Sequence, residues 1–503
     1  MAIAVLCVRE SVSSFRGGSP KTMSRPVWSR NEARDLINAV IRTTATKREA
    51  KKYIYKYGIG SVVQSGIRRV CLIKLNYENQ ESLPHLATSI AQLMTLGANP
   101  LVLMDSRPEI NSYLANRTTF LQAKQLLYDR ITKVTNLLDK HGKASPILCP
   151  FTSGASLGPV TAAITNALSD GRIPVLGGLT YDVSSSYCNF IDGNEAVLKL
   201  VNELGSEPSV DIDKVVFVDP SGGIPSTKRK AAHVFINLAQ ELPEINAELI
   251  NSGLPSPIKH QKIDDLRTLS AILSPSNPMR TGIMTTPEEA ANLSERNPVV
   301  YNLLTDRPLI SPSLPLNLER TQLVTSMLRP GFTVKVVQSS TGFDLMRKVR
   351  VGEIDLAKLL RLIQRSFGRE LDLDHYLARI KNNFAAVIIA GDYEGAAIIT
   401  WERSTTGTPI AYLDKFAVDP SSQGTAGVAD ILLIQMVRRL FPEEVIWRSR
   451  SNNHVNKWYF ERSRGFYRIP HSPWVLFWNS QDTHPPINEY INICSNIEPS
   501  FKK

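Results

Sequence analysis

Long apolar runs are missing from this sequence of 503 residues. None approaches the ~20 consecutive apolar residues that a membrane helix needs, so no membrane span is expected. Cysteine is scarce. Cys7, Cys71, Cys149, Cys188 and Cys494 are scattered, odd in number and without a C-x-x-C. That speaks against a disulfide framework or a thiolate zinc site and for a reducing compartment. The eight histidines show no H-x-x-x-H or H-E-x-x-H pairing, so no metal is expected either. Internal repeats and coiled-coil heptads are also absent.

Excess charge is nearly absent from the body of the chain. Residues 1–57 hold twelve Lys/Arg against four Asp/Glu, +8 of the total +11. A nucleic-acid interface needs a basic face on the folded body, and only +3 is left for it, so no nucleic-acid partner is expected. The stretch Trp447–Phe466, WRSRSNNHVNKWYFERSRGF, nevertheless keeps an RNA-binding or purely regulatory protein in view as an alternative. Residues 1–30 contain Arg9, Arg16, Lys21, Arg25 and Arg30, six serines and one acid, Glu10. Arg- and Ser-rich, acid-poor composition is that of a mitochondrial transit peptide. The apolar MAIAVLCV makes a secretory signal the rival, but it is short and no basic residue precedes it. Matrix import is expected, with residues 1–30 as the transit peptide.

The whole chain is 43% hydrophobic and 21% charged, a globular composition long enough for two or three domains. Ser29 and Glu32 have capping-box spacing, followed by Leu36, Ile37, Val40 and Ile41 at helical spacing. One or two helices ending near Gly58 are predicted. From Arg69, apolar runs such as RRVCLIKL, NPLVLMD and IDKVVFVD alternate with helical patterns. This predicts an α/β domain with a mostly parallel sheet over residues 31–330. NPVVYNLLTDRPLISPSLPLN, rich in Pro and Ser, reads as a loop or inter-domain connection. The last block, 331–503, differs. The helix DLAKLLRLIQRSF precedes an antiparallel hairpin around GDYEG. Strand PIAYLDKFAVD, helix AGVADILLIQMVRRLF, strand EVIWRSRS, a short helix stopped by Gly465 and strand PWVLFW follow. That is α+β on a mixed sheet.

In this block a strand leads through the Gly-rich turn DPSSQGTAGVAD into a helix, whose start favours a phosphate group. In isolation such a turn is equally an ordinary one. The arrangement resembles the Gcn5-related acyltransferases, in which the strand binds the pantetheine arm of acetyl-CoA and the turn its pyrophosphate. The usual R/Q-x-x-G-x-G/A spacing is not met cleanly: Gly424 follows Gln423 directly and position 426 is Ala. YLDKFAV, QG and RSRSNNHVNKWYF together are similar to the acetyltransferase domain of the N-acetylglutamate synthase family, in its mitochondrial fungal and animal forms. TKREAKKYI and NLLTDRPLISPSLP fit the fungal type, whose N-terminal domain is amino-acid-kinase-like. The resemblance implies that acetyl-CoA donates an acetyl group to L-glutamate, the first step of arginine biosynthesis.

The acceptor carries two carboxylates, so its pocket needs cations. Arg448 and Arg450, two apart, project to the same strand face, and a guanidinium grips a carboxylate bidentately. Which of the two binds substrate stays open. Lys415 is a candidate for the other carboxylate. Tyr412 has opposite strand parity to Lys415, and the resemblance implies that both contribute, which predicts a bulge between them. Backbone N–H groups at Phe416, Ala417 and Val418 are candidate oxyanion donors and cofactor contacts. Gln423, Gly424, Thr425, Ala426 and Gly427 form the candidate pyrophosphate turn. Tyr459 is the candidate acid for the CoA thiolate, a role the family's matching tyrosine implies; a packed core aromatic is the alternative. Asn453 is either a helix cap or a group holding substrate and cofactor. No general-base carboxylate stands out.

The amino-acid-kinase family opens its first strand with Lys and a Gly-Gly turn. LIKLNYEN keeps Lys74 but has Asn76 and Tyr77 where glycines belong, which prevents close approach of a phosphate. CNFIDGNEAV also departs from the family's run. A regulatory, non-catalytic domain is expected, with a bifunctional synthase and kinase as the alternative. The resemblance further implies arginine as allosteric inhibitor, a homo-oligomer and a complex with acetylglutamate kinase.

Overall fold

The computed structural model describes residues 53, 66–77, 80–153, 158–182, 184–227, 231–273, 280–294, 296–315, 324–423 and 427–502. The predicted transit peptide and the helices before Gly58 lie outside the described residues, Tyr53 excepted. The chain divides into two compact units, one within Met1–Leu309 and Gln322–Pro330, the other within Ile310–Thr321 and Gly331–Lys503.

In the first unit, β1 (Arg68–Leu75), α1 (Leu83–Thr95), β2 (Asn99–Met104), α2 (Arg107–Leu114), α3 (Phe120–Asp139) and β3 (Ala144–Ile147) come first. β4 (Phe151–Ser153), α4 (Gly158–Ser169), β5 (Ile173–Leu176), β6 (Leu179–Asp182), β7 (Tyr187–Phe190), α5 (Gly193–Gly205) and β8 (Val210–Val218) follow. β9 (Phe235–Asn237), α6 (Leu238–Ile250), α7 (Ser256–Ile272), β10 (Thr281–Thr285), α8 (Pro287–Ala290), α9 (Pro298–Thr305) and β11 (Ser326–Arg329) complete it. The eight-stranded sheet has the order β3-β5-β2-β1-β8-β10-β11-β9 and is parallel except where β11 meets β10. β1 is buried from Val70 to Leu75, as a central parallel strand covered on both faces must be. Leu72 and Val215 face one core, Ile73 and Val216 the other. This is the α/β sheet expected from the alternating pattern.

α9 corrects the loop reading over Pro298–Thr305, while the rest of the stretch carries the chain from one unit to the other after Leu309. Asn297 caps α9 by accepting from the N–H groups of Val299 and Val300, and Pro298 sits in its first turn, where proline costs no hydrogen bond. The proline that suggested a loop starts a helix.

The second unit holds β12 (Val334–Phe343), α10 (Leu345–Arg350), α11 (Leu356–Phe367), α12 (Leu373–Ile380), β13 (Phe384–Ala390), β14 (Gly395–Arg403) and β15 (Pro409–Val418). α13 (Val428–Ile434) runs into a π-helical turn, Gln435–Leu440. β16 (Glu444–Arg450), α14 (Asn456–Arg462), β17 (Gly465–Arg468), β18 (Trp474–Ser480) and α15 (Ile487–Asn496) follow. Its mixed sheet has the order β12-β13-β14-β15-β16-β18-β17, with only β15 and β16 parallel. Successive residues alternate between faces. Ala397, Ile399, Val445 and Trp447 pack with α13 and α14, whereas Ala396 and Ile398 pack with α11 and α12. Ile410 and Ile446 pack with α15 on that second face. Gly395 lets α13 lie close on the sheet, because a Cβ there would fall 2.4 Å from Val428 Cγ1.

One local reading changes. Gly465 opens β17 rather than stopping α14, which ends at Arg462. Arg462, in ERSRGF, is buried despite its charge. Its Nε donates to Ser313 Oγ at 2.7 Å. Ser311 and Ser313 both donate to Asp430 in the first turn of α13, and Arg438 donates to the carbonyls of Pro312 and Leu314. Residues 311–314 thus form a strap across α13 and α14.

Candidate active site

β15 and β16 pair at one position only, Tyr412 with Ile446. Beyond it the strands diverge, leaving an open backbone edge on β15. Asp419 N–H donates to Glu394 O, so the ladder with β14 uses Ala417 N–H and turns the N–H groups of Phe416 and Val418 toward the open edge. Val418 N–H is taken by Ser366 Oγ at 3.2 Å, which leaves Phe416 N–H as the donor aimed at the gap. Gln423 Nε2 donates back to Val418 O at 3.1 Å and closes the turn. Gly427 caps α13 at φ +67°, a conformation that glycine adopts without strain. Gly424, Thr425 and Ala426 lie outside the described residues.

The register of β15 against β14 shifts at Asp414: Ile399 faces Leu413 and Ile398 faces Lys415. This is the bulge that the parity of Tyr412 and Lys415 called for, and it puts both on the α12–α15 face. It also turns the Phe416 ring to the other face, 6.5 Å from the Tyr459 ring and 5.8 Å from that of Trp458.

On the α12–α15 face lies a buried charged network. Lys415 Nζ donates to Asp414 Oδ2 at 2.6 Å. Tyr376 OH donates to the same oxygen at 2.7 Å, and Arg379 pairs with Asp414 Oδ1 at 2.5 Å. Arg379 also reaches Glu402 Oε1 at 3.3 Å, and Thr400 Oγ1 donates to that oxygen at 2.8 Å. Burial alone would raise the Asp414 carboxyl, but Lys415 and Arg379 outweigh it and hold it below its ordinary value. Burial lowers the Lys415 ammonium, opposed by Asp414. Glu402 is raised by burial. Tyr412 packs with Ile410, Ile446 and Tyr490, and burial raises its phenol.

The two arginines of WRSRS part company. Arg448 stacks over Trp474 at 4.1 Å and donates to the carbonyls of Cys494 and Ile497 at the end of α15. Arg450 is exposed, and its guanidinium lies 5.6 Å over the same ring with no hydrogen bond or ion pair to a described residue. Asn453 is exposed; its Oδ1 accepts from Val455 N–H and its Nδ2 donates to Ser449 Oγ at 3.0 Å. Asn456, absent from the sequence reading, is buried and donates to the carbonyls of Arg450 and Ser451. Tyr376 and Arg379 were also missed, although their i,i+3 spacing on α12 marks one helix face.

On the opposite face, the Tyr459 ring lies 5.5 Å from Trp447 and 5.4 Å from Phe477. Its hydroxyl makes no hydrogen bond to a described residue, and burial raises its phenol. The divergence of β15 from β16 is the opening by which groups on the two faces can meet one bound molecule. A thioester along the β15 edge would have Phe416 N–H for its oxyanion, cations on one side and a phenol on the other.

The first unit holds a different cluster. Lys74 Nζ donates to Asn194 Oδ1 at 2.5 Å and Asp265 Oδ1 at 2.8 Å, 3.8 Å from the Phe217 ring centroid. Asn76 Nδ2 donates to Asp219 at 3.0 Å and its Oδ1 accepts from Arg130 at 3.1 Å. Arg130 lies over the Tyr77 ring at 5.1 Å. Burial pushes Lys262 down to about 8 against Asp265 and Asp219. Asn76 and Tyr77 are built into this network rather than leaving a backbone cradle open. Among the described residues no group of three or more His, Cys, Asp or Glu is arranged to hold a metal. No described helix is long and apolar enough to cross a membrane.

The profile of the N-acetyltransferase domain of N-acetylglutamate synthase matches residues 344–497. A protein of Yarrowia lipolytica named mitochondrial amino-acid acetyltransferase is 35% identical over 99% of this chain and 98% of its own. A Debaryomyces hansenii protein of the same name is 32% identical over 94% and 96%. The solved N-acetylglutamate synthase of Neisseria gonorrhoeae, complexed with coenzyme A and N-acetyl-glutamate, is 15% identical over 86% of this chain and 97% of that one, with a TM-score of 0.47. On the strength of the fungal relatives, which match it nearly end to end, this chain belongs to the mitochondrial amino-acid acetyltransferases.

Proposed function

We propose that this chain transfers the acetyl group of acetyl-CoA to the α-amine of L-glutamate, giving N-acetyl-L-glutamate and CoA in the mitochondrial matrix, as the first step of arginine biosynthesis. One observation carries the reading: the open β15 edge lies beside a cluster whose cations outnumber its carboxylates. Arg379, Lys415 and Arg448 face Asp414 and Glu402, with Arg450 at the rim. The surplus suits an acceptor with two carboxylates.

In this mechanism Lys415 and Arg450, with Tyr412 and Arg448 behind them, hold the two carboxylates. Asn453 orients the substrate at the turn. Gln423 to Gly427 receive the pyrophosphate, and Ala417 and Val418 line the pantetheine arm. The amine nitrogen attacks the thioester carbon after losing a proton to water. Phe416 N–H donates to the developing oxyanion. As the C–S bond breaks, Tyr459 donates its proton to the departing sulfur, and the surplus proton on the attacking nitrogen returns through water to the Tyr459 phenolate. Residues 1–30 are the transit peptide, 31–330 the arginine-sensing domain and 331–503 the acyl-transfer domain, with residues 310–321 joining the latter. Arginine inhibits through the former. A homo-oligomer and a complex with acetylglutamate kinase belong to the same reading.

The test is acetylation by the full chain. Incubation with acetyl-CoA and L-glutamate should release CoA thiol and form N-acetyl-L-glutamate, at a rate that arginine lowers. No turnover overturns the proposal, and turnover indifferent to arginine removes the regulatory half.

A further inference from the structure

Two of the cations assigned to the acceptor, Arg448 and Lys415, meet the end of α15 or the segment that follows it. Arg448 donates to the carbonyls of Cys494 and Ile497. Lys415 Nζ lies between two aromatic rings, 4.7 Å from the centroid of Tyr376 and 5.5 Å from that of Phe501. Tyr376 belongs to the helical layer, but Phe501 arrives from 86 residues further along the chain.

Phe501 is placed by backbone as well as by packing. It forms an isolated antiparallel bridge with Leu371. Asp372 N–H donates to Ser500 O at 3.0 Å, and Lys502 N–H to Glu370 O at 2.9 Å. Arg369 donates to Lys502 O at 3.0 Å. The Phe501 ring packs against Phe367 at 4.9 Å. Ser500 beside it is buried. This many anchors fix a ring over an ammonium whose own carboxylate, Asp414, is already shared with Arg379 and Tyr376.

We infer that residues 497–502 form a wall of the acceptor pocket, and that Phe501 is a positioning residue that sets the affinity for the dicarboxylate through Lys415. Two aromatic faces stabilise the cation and keep water from it. With water excluded, its attraction for a substrate carboxylate is less screened. Asp414 shares its charge with Arg379, so Lys415 retains N–H donors and positive charge for the incoming group. Without the Phe501 ring, Lys415 becomes hydrated, and part of its attraction for glutamate is lost before chemistry begins.

This inference rests on the acceptor being glutamate, and the experiment separates the two. Full-length wild type, Phe501→Leu and Phe501→Ala are compared by glutamate KM, acetyl-CoA KM, kcat and melting temperature. Phe501→Leu retains a bulky apolar contact on Phe367 and serves if the alanine variant does not fold. The expected result is a glutamate KM raised about fivefold or more in Phe501→Leu, with kcat and acetyl-CoA KM within twofold of wild type, and restoration by Phe501→Tyr. An unaltered glutamate KM with normal wild-type turnover overturns this inference alone. A parallel rise in acetyl-CoA KM overturns it as well, since it marks a merely structural role. Failure of wild type to acetylate glutamate overturns the proposed function and this inference with it.

Discussion

Replacing Tyr459 by phenylalanine removes one oxygen and leaves the ring. The ring packs among Phe416, Trp447, Trp458 and Phe477, with centroids 5.4–6.5 Å apart, and phenylalanine keeps these contacts. The hydroxyl has no hydrogen-bond partner among the described residues, so its loss orphans no buried group there. Stability should therefore change by no more than about 1 kcal/mol. A CoA thiol has a pKa near ~8.5 by comparison with cysteine, and an ordinary phenol one near ~10. Burial raises Tyr459 further, so it stays protonated throughout the working range. Positioned proton donors contribute roughly 10²–10⁴-fold. Tyr459 is a weak acid for this leaving group, so the low end applies: kcat should fall about 10²-fold, about 2.7 kcal/mol. The assay is colorimetric thiol release at saturating acetyl-CoA and glutamate, with acetyl-CoA KM and melting temperature measured on the same preparation. Acetyl-CoA KM should stay within about threefold. A kcat within threefold of wild type removes Tyr459 from the acid role, and a fall in kcat matched by a fall in melting temperature assigns the loss to packing. The raised phenol also carries a sign. Above pH ~10 the unfolded chain releases this proton while the folded chain retains it, so the Tyr459 contribution to stability falls as pH rises there and is absent from Tyr459→Phe.

Arg450→Ala should raise glutamate KM with little change in melting temperature, because its guanidinium makes no hydrogen bond or ion pair to a described residue; an unchanged KM returns it to the surface. Arg448→Ala should instead lower the melting temperature as well, since two carbonyls at the end of α15 lose their donor. Asp265→Ala strips the buried Lys74 of its 2.8 Å partner and should cost about 3–5 kcal/mol of first-unit stability in urea titration. A cost below about 1 kcal/mol would show that the cluster is not a closed ion-pair network.

Much of both sheets was legible because their strands are short apolar runs between turn residues, as in RRVCLIKL and FAAVIIAG. The Asp414 bulge was legible for a different reason: two side chains wanted on one face had the wrong parity. What stayed hidden depends on distant contacts. Nothing local to Arg379 says that it meets Asp414, or that Phe501 lies by Lys415. Arg448 and Arg450 read as equivalents, and only the carbonyls of Cys494 and Ile497, almost fifty residues on, tell them apart. Pro298 was ambiguous locally, because proline both begins helices and breaks them.

The strap at residues 311–314 has a bearing on how this protein can be taken apart. The chain leaves the first unit after Leu309, returns at Gln322 to supply β11, and leaves again after Pro330. It therefore crosses between the units three times, and no single peptide cleavage yields two intact pieces. A fragment starting at Gly331 would lose Ser311 and Ser313, and with them hydrogen bonds to Asp430 and Arg462. Limited digestion within residues 310–330 should accordingly give a nicked protein whose pieces still elute together. Exchanging one unit with that of a relative requires three splices to be moved in concert.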